Sequence, residues 1–378
     1  MTMSYGINTR CIYGEEREHG DEKHYGALSY PIYQTATFQH PQVGVSSGYD
    51  YSRLSNPTRN QLESVVASLE KGTHAYAFSS GMAAITVAME IFSQGAHIIA
   101  GDDLYGGSVR LFDNISRKNG YEVEYVDTSR EDVEKYIRPE TKAVYIETPT
   151  NPMMNVTDIA KVAEITKKHG ILLIVDNTFL SPYLQNPLGL GADIVIHSGT
   201  KFLCGHNDTL SGFVVVKDEA LAERILYVSK TTGANLSPFD SWLVLRGIKT
   251  LGIRMERQQA NAAKLAEWLK ANPKVKKVYY PGFENHPGHD IMKKQARGFG
   301  SMISFEMESK ESAVKVLNSV KLISFAESLG GVETLLTYPT LQTHPDVPAE
   351  VKERNGITES LLRLSVGCLL YTSDAADE

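Results

Sequence analysis

Residues 158–169 place Ile159, Val162, Ala163 and Thr166 on one helical face, and Gly170 stops the run. Residues 171–175 then follow as five consecutive apolar residues, the pattern of a strand buried on both faces. This unit repeats along the chain. Helices are predicted over 61–70, 82–92, 108–118 and 158–169, and strands over 97–100, 122–126, 143–147, 171–175, 193–197 and 212–216. Strands that alternate with helices require right-handed crossovers and an α/β fold with a mostly parallel central sheet, helices on both faces. In such a sheet, ligands sit beyond the carboxyl ends of the strands.

The flanking regions follow a different grammar. Residues 1–60 read as an irregular N-terminal arm, because 25–57 carry Pro31, Pro41, Gly44, Gly48 and Pro57 among many tyrosines with no helical period. An arm of that length wraps a neighbour or builds a site. The α/β domain is expected over 61–250. After it come a charged helix over 255–270, strands over 275–280, 302–306 and 361–366, and a helix near 312–319. These predict a smaller C-terminal α+β domain over 251–367. Residues 368–378 resemble a translated sequencing adapter, so they are expected to be a non-native, unattached tail in place of the natural C-terminal segment.

Composition excludes several function classes. With 38 Lys plus Arg against 45 Asp plus Glu, the net charge is -7, which denies the chain the basic field that nucleic acid or an anionic membrane requires. No apolar run approaches the roughly 20 residues of a membrane span, and the first ten residues lack the apolar centre of a signal peptide. Three scattered cysteines, Cys11, Cys204 and Cys368, support neither a disulfide framework nor a metal site. A soluble cytoplasmic protein is expected.

Asp176 and Lys201 are the most informative residues. Asp176 ends the strand 171–175, and Lys201 follows the strand 193–197 through Ser198, Gly199 and Thr200. A lysine near a sheet edge is suited to forming an imine once desolvation and nearby cations lower its pKa from about 10.4. An aspartate beside it is suited to keeping a heteroaromatic nitrogen protonated. Together they fit pyridoxal phosphate, although on spacing alone an ordinary loop lysine and a capping aspartate are the simpler reading. Ser79-Ser80-Gly81-Met82 opens a helix after a short apolar stretch, which makes its free N–H groups an anion site or simply a helix cap. Ser198 and Thr200 offer further phosphate donors, and Arg53 offers charge. Tyr105 is placed to stack on a planar ring, or to sit in an exposed turn.

Rival chemistries lack their motifs. No Gly-x-Gly-x-x-Gly, Walker-type or Gly-x-Ser-x-Gly run is present. His197, His206, Asp208 and Asp193 lie on different elements without the spacing of metal ligands, and His286 and His289 read as a loop entering a helix.

Several longer blocks then match one family in order from about Tyr5 to Gly367. They are Tyr-Ser-Arg-Leu-Ser-Asn-Pro-Thr (51–58), Ser-Ser-Gly-Met-Ala-Ala (79–84), Asp-Leu-Tyr-Gly-Gly (103–107) and Glu-Thr-Pro-Thr-Asn-Pro (147–152). Val-Asp-Asn-Thr-Phe (175–179), His-Ser-Gly-Thr-Lys (197–201), Glu-Ser-Leu-Gly-Gly (327–331) and Arg-Leu-Ser-Val-Gly (363–367) continue the match. With these blocks the chain resembles the Cys/Met-metabolism (trans-sulfuration) family of fold-type I pyridoxal-phosphate enzymes, which includes cystathionine γ-lyase, cystathionine γ-synthase, cystathionine β-lyase and methionine γ-lyase.

The resemblance implies roles. Lys201 bonds the cofactor and moves protons between the substrate's carbons, Asp176 pairs with the pyridinium nitrogen, and Tyr105 stacks on the ring and serves as a base. Gly81, Met82, Ser198 and Thr200 hold the phosphate, while Tyr51 and Arg53 reach the phosphate of a neighbouring subunit's cofactor. Arg363, with Ser328 and Asn151, takes the substrate α-carboxylate by the bidentate fork of arginine, and Arg110 is a further candidate for that pocket. Oligomerisation, as a homotetramer built of two dimers, is then required for activity.

Specificity is narrowed by two positions. Gly107 stands where methionine γ-lyases usually carry cysteine, and Glu327 stands where γ-lyases and γ-synthases carry the glutamate that meets the distal amino group of cystathionine. A γ-eliminating cystathionine lyase is the expected activity, with β-elimination also open. Cystathionine γ-synthase or an O-acetylhomoserine sulfhydrylase-like γ-replacement is the alternative, and the preferred acyl ester is undetermined. A catalytically silent binding protein of the same fold would lack Lys201, Asp176 or Arg363, and all three are present.

Overall fold

A computed structural model describes residues 5–15, 24–345 and 347–370. The alternating segment forms one seven-stranded sheet. Its strands are β1 (His74–Phe78), β2 (His97–Gly101), β3 (Glu122–Val126), β4 (Thr141–Glu147), β5 (Leu172–Asp176), β6 (Ile194–Ser198) and β7 (Gly212–Val216). They lie in the order β1-β7-β6-β5-β4-β2-β3. The run from β6 to β3 is parallel, and β7 is antiparallel to both its neighbours. Side chains alternate between two cores, as the two-residue period of a strand demands. Leu173, Val175 and Val195 enter one core, and Ile174, Ile194 and Ile196 enter the other.

Three helices that pack on the large sheet are fixed by local chemistry. Asn56 caps the helix Pro57–Glu70 by accepting the Thr58 N–H, with Pro57 at the first helical position. Ser80 caps the helix Gly81–Met89, and Asp158 caps Ile159–His169, which Gly170 ends in the left-handed conformation.

A second sheet contains β8 (Val275–Tyr279), β9 (Met302–Met307), β10 (Ser324–Phe325), β11 (Leu335–Thr337) and β12 (Leu361–Ser365), ordered β10-β11-β12-β9-β8. Along β12, Leu362 and Leu364 join the core of this smaller sheet. The intervening Arg363 therefore faces the opposite way, towards the large sheet. The helix Leu251–Ala271 ties the two parts together. Arg254 donates to the carbonyls of Phe202 and Leu203 at 2.8 and 3.3 Å, while Gln258 donates to Gly331 O at 2.7 Å and Asn261 to Gly367 O at 3.1 Å.

Two regions depart from expectation. The stretch expected to be irregular contains the helix Ile7–Tyr13, whose Cys11 is only 3% exposed and joins the large core. Seven residues are too few for a period to register in the sequence. At the other end, the Cys368 N–H donates to Val332 O at 2.8 Å and Leu370 packs on the small core. Residues 368–370 thus continue the fold, and the rest of the expected tail lies outside the described residues. Among the described residues, no helix is long and apolar enough to cross a membrane.

Candidate active site

The carboxyl ends of β2, β4, β5 and β6 share one edge of the large sheet. The loops leaving them deliver Tyr105, Asn151, Asp176 and Lys201 to a single cavity of about 200 Å³. A water occupies roughly 10–15 Å³ on the same measure, so this space is of ligand size. Lys201, Asp176, Tyr105, Gly81, Met82, Ser198, Thr200, Asn151, Glu327, Ser328 and Arg363 all line it. Tyr51, Arg53 and Arg110 do not.

Asp176 forms part of the cavity wall at the end of β5. Its Oδ1 accepts the Thr178 N–H at 2.9 Å and the Thr178 hydroxyl at 2.5 Å. The Thr178 Oγ1 in turn accepts the Ser198 N–H at 2.8 Å, which joins the ends of β5 and β6. Directly beside Asp176 in the register stands Glu147, 8% exposed, whose two oxygens accept the Tyr105 N–H at 3.1 Å each. Burial, reinforced by the Asp176 carboxylate, holds Glu147 well above the usual carboxyl range. Burial raises Asp176 too, but the Thr178 bonds oppose that and favour its ionised form. The two adjacent buried carboxyls thus differ in what opposes burial, the Thr178 side chain and backbone for Asp176 and the Tyr105 backbone for Glu147. Burial also pushes up the Tyr105 phenol; Glu327 adds to the shift, and Arg110 and Arg363 oppose it.

The Lys201 Nζ donates to Ser328 Oγ at 2.8 Å. Burial, together with the Arg363 charge, brings its ammonium down to about 8. Ser328 holds that position in a left-handed conformation, φ 104°, which costs a non-glycine residue about 1–3 kcal/mol and marks a place where the surroundings dictate the backbone.

Arg363 is 1% exposed. Its Nη1 donates to Asn151 Oδ1 at 2.8 Å, and Nη2 donates to Ser328 O at 3.0 Å and Thr337 Oγ1 at 3.2 Å. All three acceptors are neutral, and Nε is buried without a partner. Desolvation brings the guanidinium down to about 10, so it stays charged at neutral pH. A buried cation with an unused donor calls for an anion.

At the opposite wall, Ser80 and Gly81 begin the Gly81–Met89 helix. A Cβ on Gly81 would lie 2.8 Å from Ser198 Cβ, and one on Gly212 would lie 2.1 Å from Ser80 O, so glycine alone permits this close approach of three loops. The result is a cradle of free helix N–H groups beside the Ser198 hydroxyl, suited to a phosphate. Thr200 is less free than expected, because its Oγ1 donates to Ser211 O at 3.3 Å and accepts the Ser211 N–H at 3.0 Å.

The residues outside the cavity are placed as follows. Arg53 donates from Nη1 to Lys230 O at 2.5 Å and rests over the Tyr51 ring, with both residues exposed. Arg110 is exposed at the end of the short helix Gly106–Arg110. Sequence reasoning missed Glu147 and Thr178, and also His344, whose Nε2 lies 3.2 Å from Leu104 O and 3.0 Å from Asn151 O and ties those two loops together. Glu147 carried a legible signal, an acid ending a buried strand, the same signal that singled out Asp176. His344 carried none, since its partners are backbone atoms far away in sequence.

The donor set fits pyridoxal phosphate. A desolvated lysine, a hydrogen-bonded aspartate, a stackable tyrosine and a helix N-terminus for a phosphate converge on one cavity, in a mostly parallel α/β fold with a smaller second sheet. This defines a pyridoxal-phosphate (PLP)-dependent enzyme of fold type I. Within that class the chain belongs to the Cys/Met metabolism PLP-dependent enzyme family, whose profile it matches over residues 8–371. It is 53% identical to the cystathionine gamma-lyase of Bacillus subtilis (strain 168) over 92% of each chain. It is 48% identical to the cystathionine gamma-synthase of Haemophilus influenzae, covering 97% of this chain and 95% of that one. Among solved structures, the cystathionine gamma-lyase from Lactobacillus plantarum complexed with L-serine superposes with a TM-score of 0.94 at 44% identity, covering 99% of this chain and 97% of that one. The chain is therefore a PLP-dependent enzyme of cysteine and methionine metabolism.

Proposed function

We propose that this enzyme cleaves cystathionine by γ-elimination. The cofactor, when bound, supplies the electron sink that makes the substrate α-proton removable. Everything else falls to the chain. Arg363 takes the α-carboxylate with its charged fork, and Asn151 and Ser328 hold that fork in place. Asp176, whose Oδ1 accepts two bonds from Thr178, would pair with the ring nitrogen of the cofactor and favour its protonated form. Tyr105, fixed through its backbone by Glu147, covers the ring face. The Lys201 amine removes the α-proton and then serves the β-carbon, since γ-chemistry needs a second proton removal by one mobile base. Gly81, Met82, Ser198 and Thr200 hold the phosphate, and Tyr51 and Arg53, exposed on one subunit, complete the phosphate site of a neighbour in a homotetramer. The cytoplasm is the expected location.

The observation that carries the cystathionine reading is Glu327, which lines the cavity yet remains exposed, adjoining the Ser328 that contacts both Lys201 and Arg363. A carboxylate there suits a substrate whose far end is an ammonium. Gly107 supports the same reading, because a Cβ there would lie 2.4 Å from the Tyr105 ring, where a cysteine would crowd the tyrosine. The 48% identical γ-synthase favours a second reading, γ-replacement on a homoserine ester, by the same residues.

Glu327→Ala tests the assignment. A partly exposed pair of this kind is worth about 1 kcal/mol, so kcat/KM for cystathionine is expected to fall several-fold while a small thioether substrate is nearly unaffected. An equal fall for both substrates would mean that Glu327 supports the Ser328 loop and does not read the substrate.

A further inference from the structure

Away from the active-site cavity, a second cavity of about 240 Å³ opens where the loop after β4 meets β8 and the segment that follows it. Arg130, Lys270, Lys277 and His286 line it, over a floor that includes Tyr279 and Phe283. Among the described residues no carboxylate lines it, although Glu306 stands opposite Lys277 in the β8–β9 register and accepts the Tyr279 hydroxyl at 2.7 Å. The lysines are held by aromatic faces. The Lys270 Nζ sits 4.7 Å from the Phe283 ring centroid, and the Lys277 Nζ sits 4.4 Å from that of Tyr279. Neither lysine has an ion-pair partner among the described residues, whereas the Arg130 Nε lies 3.5 Å from Asp127 Oδ2.

A ring N–H and two amides are the other polar groups of the lining. The His286 Nδ1 accepts the Gly288 N–H at 3.0 Å, which leaves the ring proton on Nε2. Burial, with His289 and Lys277 nearby, brings this imidazole down to about 4, so it is a neutral N–H donor at physiological pH. Asn155 and Asn285 add amides. Like charges gathered around one cavity repel each other unless an anion is shared between them.

We propose that this cavity is a binding site for a small dianion, a phosphate ester or a dicarboxylate. Its charge would be met by Lys270, Lys277 and Arg130, and its apolar body would rest on Tyr279 and Phe283. Its lining shares no residue with the cavity that holds cofactor and substrate, so its ligand would be a bound effector.

Calorimetric titration of the holoenzyme with phenyl phosphate, and separately with succinate, tests this at low ionic strength. Saturable binding of one molecule per subunit is expected for at least one probe, and the two arms tell a phosphoryl from a carboxylate ligand. The double variant Lys270→Gln/Lys277→Gln, altered only at exposed positions, is expected to bind about tenfold more weakly with turnover unchanged. Failure of both probes to saturate, or equal affinity in the variant, would overturn the proposal.

Discussion

Lys201 has an amine whose proton is lost within reach of neutral pH because the fold removes its water and places Arg363 nearby. Its folded-state value, about 8, lies below that of a free lysine, so the nucleophilic amine becomes the major form above pH 8 rather than above pH 10. Capture of pyridoxal phosphate by the apoenzyme should therefore accelerate as pH rises, with its midpoint near 8, as followed by the growth of the bound cofactor's visible absorption. Lys201→Ala should give no such band at any pH. A band retained in that variant would move the central assignment to another lysine. Neighbouring residues hold one another in place. Glu147 accepts the Tyr105 backbone N–H, Asp176 accepts two bonds from Thr178 that oppose the upward pull of burial, and Arg363 keeps an unused Nε donor.

Central strands such as β5 and β7 were legible in the sequence, because burial on both faces leaves a nearly unbroken hydrophobic run. The predicted strands over 122–126 and 212–216 coincide with β3 and β7, those for β2, β4, β5 and β6 differ by one or two residues at one or both ends, and β1 was not predicted as a strand. Asp176 and Lys201 were legible for the same reason, as they end or closely follow such runs. The short helix Ile7–Tyr13 and the three-residue strand β11 were not, since neither is long enough to display a period. Longer helices were missed as well. Pro238–Ile248 is apolar along much of its length and lacks a clean polar face, so its period is blurred. The hydrogen bonds that bring Asn151 to Arg363, and His344 to the backbone of Leu104, span sequence separations of 212 and 240 residues. No local pattern encodes contacts of that range, and only the longer family-like blocks pointed to Asn151 and Arg363 as partners.

At the scale of the whole molecule, the cavity exists only because two sheets close on it. The large sheet supplies Lys201, Asp176 and the phosphate cradle, and the small one supplies Arg363, with the Leu251–Ala271 helix bonded to both. Tyr51 and Arg53 lie on the outside of this assembly, which motivates their proposed role in a neighbouring subunit. Mixing inactive Arg53→Ala with inactive Lys201→Ala subunits should restore part of the activity, because hybrid dimers then contain one intact site. No recovery despite proven subunit exchange would place Arg53 outside the catalytic assembly. The most direct measurement is identification of the keto acid formed when the unmodified holoenzyme turns over L-cystathionine alone. Gamma-cleavage releases cysteine and α-ketobutyrate in equal amounts, and this is the predicted result. Homocysteine and pyruvate as the main products, or no turnover without an added homoserine ester and cysteine, would contradict it.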